Sequence, residues 1–133
     1  MAGYSAKPLI NKLGIKTGMT ITIINPPEDF WKELGEMPEV ENISKPTKGM
    51  DFILHFTDSK KEYEKNFPKL AKTLVANGML WIGWPKKASK IPTDLNENII
   101  RDFGLAYGLV DVKVCAITEK WSGLKFVIRV KDR

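Results

Sequence analysis

The chain has 133 residues and a net charge of +5, with 43% apolar and 28% charged side chains. That balance is globular rather than disordered, and the length suits one domain, 1–133, with one hydrophobic core. No apolar run approaches the roughly 20 residues of a membrane helix, and Met1-Ala2-Gly3-Tyr4-Ser5 lacks the basic and apolar stretches of a secretory signal. The single Cys115 excludes an internal disulfide, and with the single His55 it leaves no soft-ligand cluster, so no metal site is predicted. A cytoplasmic protein without membrane association is the expectation.

In chain order, Pro8–Leu13 reads as a short helix stopped by Gly14. The β-branched run Met19–Ile24 reads as a strand ended by Asn25-Pro26-Pro27. A helix over Glu28–Leu34 follows, with Glu28 and Asp29 at its positive end and Gly35 as its stop. Val40–Ser44 is a short edge-strand candidate. The apolar run Asp51–Phe56 fits a parallel strand covered on both faces. Ser59 with Glu62 forms a capping box for a helix whose stripe is Tyr63, Phe67, Leu70, Ala71 and Leu74. Pro68 predicts a kink or restart in that helix, and Asn77-Gly78 its C-terminal cap.

Met79–Trp84 reads as a further buried strand, and Pro85–Lys90 as an exposed loop. Asp94 with Glu97 gives a second capping box before a helix with Leu95, Ile99, Ile100, Phe103 and Ala106 on one stripe. Val110–Thr118 and Leu124–Val130 are strands joined by the loop Glu119–Gly123. The alternation predicts an α/β fold: a three-layer, Rossmann-like, mostly parallel sheet of five to six strands closing on an antiparallel hairpin strand.

That ending, with Lys16-Thr17-Gly18-Met19 before the first strand and Asn77-Gly78-Met79-Leu80-Trp81-Ile82 at mid-chain, resembles the class I methyltransferase form of the fold. Gly3-Tyr4-Ser5, Lys12-Leu13-Gly14-Ile15, Trp84-Pro85-Lys86-Lys87-Ala88-Ser89, Asp111–Cys115 and Trp121–Lys125 resemble a family of small prokaryotic proteins filed as a domain of unknown function. This second resemblance implies a shared fold and supplies no activity. A methyltransferase has a glycine-rich turn after its first strand, where this chain has Asn25-Pro26-Pro27-Glu28-Asp29. Two prolines remove two backbone donors. The expectation is therefore that no cofactor binds, S-adenosylmethionine included.

Ligands of open parallel sheets sit outside the carboxyl ends of the strands. Those ends carry Asn25 and Glu28, Thr57 and Asp58, then Trp84, Lys86, Lys87 and Ser89. The hairpin turn shares that rim, which brings Trp121, Ser122 and Lys125 beside the Lys86/Lys87 loop. Ammonium groups, indoles and hydroxyls there suit an anionic, ring-bearing small molecule. The competing reading makes Lys86 and Lys87 a solvated loop, with Trp84 and Trp121 packed as lids. His55 reads as a satisfied core histidine rather than a base, Cys115 as a buried inert thiol, and Asp58 as a capping residue.

No convergent catalytic set is visible. The first expectation is a non-enzymatic binding or regulatory module with a protein partner. The alternative is an enzyme or ligand-binding protein taking a nucleotide-like or phosphorylated anion at Lys86, Lys87 and Trp121. A second alternative is a nucleic-acid-associated protein. The basic balance supports it, while the choice of 18 Lys against 3 Arg weakens it, because base readers lean on arginine.

Overall fold

The structure, a computed structural model, describes residues 7–133; Gly3-Tyr4-Ser5 lies outside the described residues. Leu9–Leu13 form α1, which ends at Gly14 with φ +89°. β1 is Thr20–Ile24 and α2 is Phe30–Leu34. The edge strand β2 keeps only Glu41–Asn42 of the five residues expected. β3 is Met50–Phe56, α3 Lys60–Ala71, β4 Leu74–Pro85, α4 Glu97–Tyr107, β5 Leu109–Ala116 and β6 Trp121–Ile128.

One six-stranded sheet results, in the order β2-β1-β3-β4-β6-β5. The first four neighbours run parallel, and β6 lies antiparallel to both β4 and β5. This is the α/β architecture with a reversed last strand that the alternation predicted.

Parity along the strands sorts the core. Phe52, Leu54 and Phe56 of β3 face the α1/α2 layer, with Leu13, Phe30 and Trp81. Ile53 of β3 faces the α3/α4 layer, with Tyr63, Phe67, Ile100 and Phe126. Both faces are covered, so β3 reads as a nearly continuous apolar run, broken by Asp51 and His55. The short α1 is tied down through its last carbonyls. Trp81 Nε1 donates to Leu13 O at 3.0 Å, and Lys113 Nζ donates to Lys12 O at 2.8 Å. These bonds satisfy groups that a helix end leaves open.

Four local expectations are corrected. α3 ends at Ala71, so Leu74 and Asn77-Gly78 belong to β4. Leu74 pairs with Met50 and Met79 with Phe52, so β4 bulges against β3 and Gly78 lies inside the bulge. A Cβ on Gly78 would fall 2.8 Å from Met50 O, a close approach that glycine permits. Pro68 interrupts nothing; α3 runs through it. Asn96, not Asp94, caps α4, accepting from Ile99 N at 2.9 Å, while Asp94 accepts from Lys60 N at 2.7 Å. Finally, the hairpin loop is shorter than Glu119–Gly123, because β6 already begins at Trp121.

Candidate functional site

Two contacts join the twin-lysine segment to the hairpin at the carboxyl ends of the parallel strands. Pro85, the last residue of β4, pairs with Trp121, the first of β6. Just beyond, Lys86 N donates to Lys120 O at 2.8 Å. The twin-lysine segment and the hairpin tip therefore share one rim of the sheet.

They do not share one pocket. Trp84 packs into the α3/α4 core, whereas Trp121 packs against the α1/α2 core. The register explains this: Trp121 opposes Pro85, and Trp84 opposes Ser122. One cavity of about 590 Å³ opens on the Trp121 side, lined by Glu28, Asp29, Lys32, Ile91, Lys120 and Trp121. A second, of about 490 Å³, opens on the Trp84 side, with Lys87, Lys90 and Thr93 among its walls. Ile91 borders both. The Trp121 ring is braced edge-on by Phe56 at 5.5 Å, and Phe56 by Phe30 at 5.1 Å.

Beside this rim, β1 ends in a three-residue polar cluster. Asn25 adopts φ +55°, a left-handed conformation that asparagine reaches more readily than most residues. Its Nδ2 donates to Glu62 Oε1 at 3.4 Å, and His55 Nε2 meets the same oxygen at 3.3 Å. Because Glu62 is an acceptor, the ring carries its proton on Nε2, and Nδ1 is a buried lone pair without a partner among the described residues. Burial lowers the His55 pKa from its ordinary value, and the hydrogen bond and charge of Glu62 oppose that only partly. Glu62 is 42% exposed, whereas His55 is almost wholly buried.

The other residues singled out in the sequence occupy distinct places. Lys87 is exposed in a single 3-10 turn, Lys87–Ser89. Ser89 shapes that turn, donating to Lys86 O at 2.6 Å and accepting from Ile91 N. Ser122 is a half-buried ladder residue between Trp84 and Ala116. Lys125 stands opposite Trp81 and Lys113, in the middle of the sheet rather than at its rim. Asp58 is exposed, and its carbonyl, not its carboxylate, is engaged, accepting from Thr93 Oγ1 at 2.6 Å. Cys115 is half-buried on the α1/α2 side, and burial pushes its thiol up.

Lys32, Ile91 and Lys120 were not anticipated. Lys32 lies one turn into α2, and Lys120 neighbours Trp121, so strand-end reading extended by one turn would have reached both. The Glu62 cluster was hidden because the sequence assigned Glu62 to a reciprocal cap. Ser59 does cap α3, accepting from Glu62 N at 3.2 Å, but Ser59 N donates to Thr57 Oγ1 and leaves Glu62 for His55.

No family model matches the chain, and no curated protein does. Solved structures do. A SAM-dependent methyltransferase from Aquifex aeolicus has TM-score 0.66 at 16% identity, covering 91% of this chain and 88% of that one. A methyltransferase from Pyrococcus furiosus has TM-score 0.57 at 11% identity, covering 89% and 78%. Magnesium protoporphyrin IX methyltransferase from Synechocystis PCC 6803, with bound SAM, has TM-score 0.56 at 11% identity, covering 91% and 74%. The expectation that the scaffold takes no cofactor is overturned by these neighbours. The turn it rested on is made without glycine, by Asn25 in the left-handed region. At these identities the likeness is one of fold, and the fold is that of the class I methyltransferases.

Proposed function

We propose that the chain is an S-adenosylmethionine-binding methyltransferase using the cavity beside Trp121. One observation carries the reading: the sheet order with its reversed last strand puts a cavity of about 590 Å³ at the carboxyl rim, in a fold shared with SAM-dependent methyltransferases.

The residues present fit such a cofactor by their chemistry. It is a zwitterion with a sulfonium and an aromatic ring, and it supplies an electrophilic methyl group. The cavity offers two carboxylates, Glu28 and Asp29, two ammonium groups, Lys32 and Lys120, and the Trp121 indole. Carboxylates attract the cationic end of a zwitterion and ammonium groups its carboxylate, while an indole face covers a cation or stacks on a ring. Phe56 and Phe30 hold the indole in place, which lowers the ordering cost of binding. Glu62, held by Asn25 and His55 at the ends of β1 and β3, is a further half-exposed carboxylate beside that rim.

Titration calorimetry with S-adenosylmethionine and S-adenosylhomocysteine tests the reading. Saturable binding is expected, with quenching of Trp121 fluorescence, and Asp29→Asn with Glu28→Gln should weaken both ligands, S-adenosylmethionine the more because it alone carries the sulfonium charge. Absence of binding of both ligands to the folded protein overturns it.

A further inference from the structure

Lys113 of β5 and Lys125 of β6 stand directly opposite one another on the ladder. Like charges so placed destabilise a sheet, and both side chains are half-buried, where water screens them less. They lie on the α1 side of the sheet, since Lys113 Nζ reaches Lys12 O. Half-buried Lys12 and Lys86 and exposed Lys16 extend the group. Lys125 is held below the ordinary ammonium range by burial, then by Lys113 and Lys16. Lys12, Lys113 and Lys86 all act on Cys115, which lies between them.

Among the described residues none of these lysines is in an ion pair, although Glu36 lines the same cavity as Lys16. The ion pairs among the described residues are His55–Glu62, Arg101–Glu97 and Arg101–Asp111, all on the α3/α4 side. Lys113 is partnered by the α1 carbonyl, and the ammonium groups of Lys12, Lys16, Lys86 and Lys125 meet no polar partner among the described residues. A fold that keeps opposed, partly desolvated cations without a counter-charge is matched to an anion supplied from outside.

We propose that the lysine group Lys12, Lys16, Lys113, Lys125 and Lys86 is a track for single-stranded nucleic acid, which makes nucleic acid the substrate class of the rim site. The substrate assignment rests on the methyltransferase reading; the binding does not. Lys125 and Trp121 lie four residues apart on β6, about 13 Å along the strand, so the lysines between mid-sheet and rim meet more than one phosphate. The use of lysine suits backbone contact without base reading, the part of recognition that carries no sequence information. The group ends at the rim where Lys86 N meets Lys120 O beside Trp121, and an indole is a platform on which an unpaired base stacks. An unpaired base gains the Trp121 indole as a stacking partner, which a lipid headgroup does not.

Fluorescence anisotropy of the full chain with labelled single-stranded RNA and DNA of about 12 nucleotides, without S-adenosylmethionine, tests this over a range of salt. Binding at about 50 mM salt should weaken steeply as salt rises. The double variant Lys16→Gln/Lys125→Gln should lose affinity, and its slope of log K against log salt should fall by about 1.4, roughly 0.7 per lysine. Its melting temperature should not fall, because an opposed charge has been removed. Lys61→Gln/Lys65→Gln, on exposed positions of α3, should leave affinity and slope unchanged. Failure to bind at low salt overturns the track, as does an equal loss in the α3 pair, or binding to phosphatidylserine vesicles but not to oligonucleotides. Oligonucleotide binding without cofactor binding refutes only the methyltransferase reading; the reverse refutes only the track.

Discussion

Phe126 occupies the space that a side chain at Gly104 would need: a Cβ there would fall 2.1 Å from the ring's Cε1. Gly104 is buried in the middle of α4, and this contact lets the helix lie close on β6. Alanine in a helix interior is ordinarily better than glycine by about 1 kcal/mol. Here the sign reverses. Phe126 is walled in by Phe67 at 5.2 Å and cannot swing clear cheaply. Gly104→Ala should destabilise by about 1–3 kcal/mol net. A urea titration in which the variant matches or exceeds the parent midpoint would show that the ring can yield.

Tyr63 joins the two helices of the same layer. Its hydroxyl donates to Ile100 O at 2.7 Å in the interior, and burial pushes its pKa far above the usual phenol range. Tyr63→Phe keeps the edge-on contacts with Phe67 and Phe103, both 5.5 Å away, and removes only the hydroxyl. A loss of about 1 kcal/mol is expected. Tyr63→Ala, which also empties the core, should cost about 3–5 kcal/mol. Equal losses in the two variants would mean that the hydroxyl bond, not the packing, holds α3 to α4.

The sequence carried the layers more fully than the joints. β1 and β3 were legible because β-branched and apolar runs between turn residues have one good conformation, and α1 and α2 because Gly14 and Gly35 take positive φ. Asn77-Gly78 misled because the same dipeptide suits a helix cap and a bulge, and Met50 O decides between them from another strand. The shared rim of Lys86 and Trp121 followed from strand direction alone. That Trp84 and Trp121 face opposite ways did not, since it depends on Pro85 rather than Trp84 opposing Trp121. The missing glycine after β1 argued against a cofactor only so long as Asn25 was not known to make the turn.

Two residues, Asp94 and Asn96, competed for the start of α4, and their roles can be separated. Asn96 accepts from Ile99 N, within the helix, whereas Asp94 accepts from Lys60 N at the start of α3. Asn96→Ala should cost about 1 kcal/mol and speed amide exchange at Ile99. Asp94→Ala should speed exchange at Lys60 and leave Ile99 protected. Faster exchange at Ile99 in the Asp94 variant would restore Asp94 as the cap.

His55 sets a pH dependence whose sign follows from its burial. Its folded pKa lies below the ordinary 6.5, because desolvation outweighs the attraction of Glu62. Above about 6.5 the imidazole is neutral both folded and unfolded and contributes no slope. As pH falls through about 6.5, the unfolded chain takes up a proton that the folded chain refuses, so stability is lost by at most about 1.4 kcal/mol per pH unit until the folded pKa is reached. His55→Gln removes the titrating group while keeping an amide able to reach Glu62. The difference in urea midpoint between parent and variant should therefore shift in the variant's favour on going from about pH 7.5 to about pH 5.5. Glu62→Gln in the His55 parent should carry the loss on to lower pH, because the one group that favours the imidazolium has gone and the folded pKa falls further. A parent that instead gains stability relative to His55→Gln on acidification would mean that Glu62 wins over burial, and that the rim cluster is a charged pair.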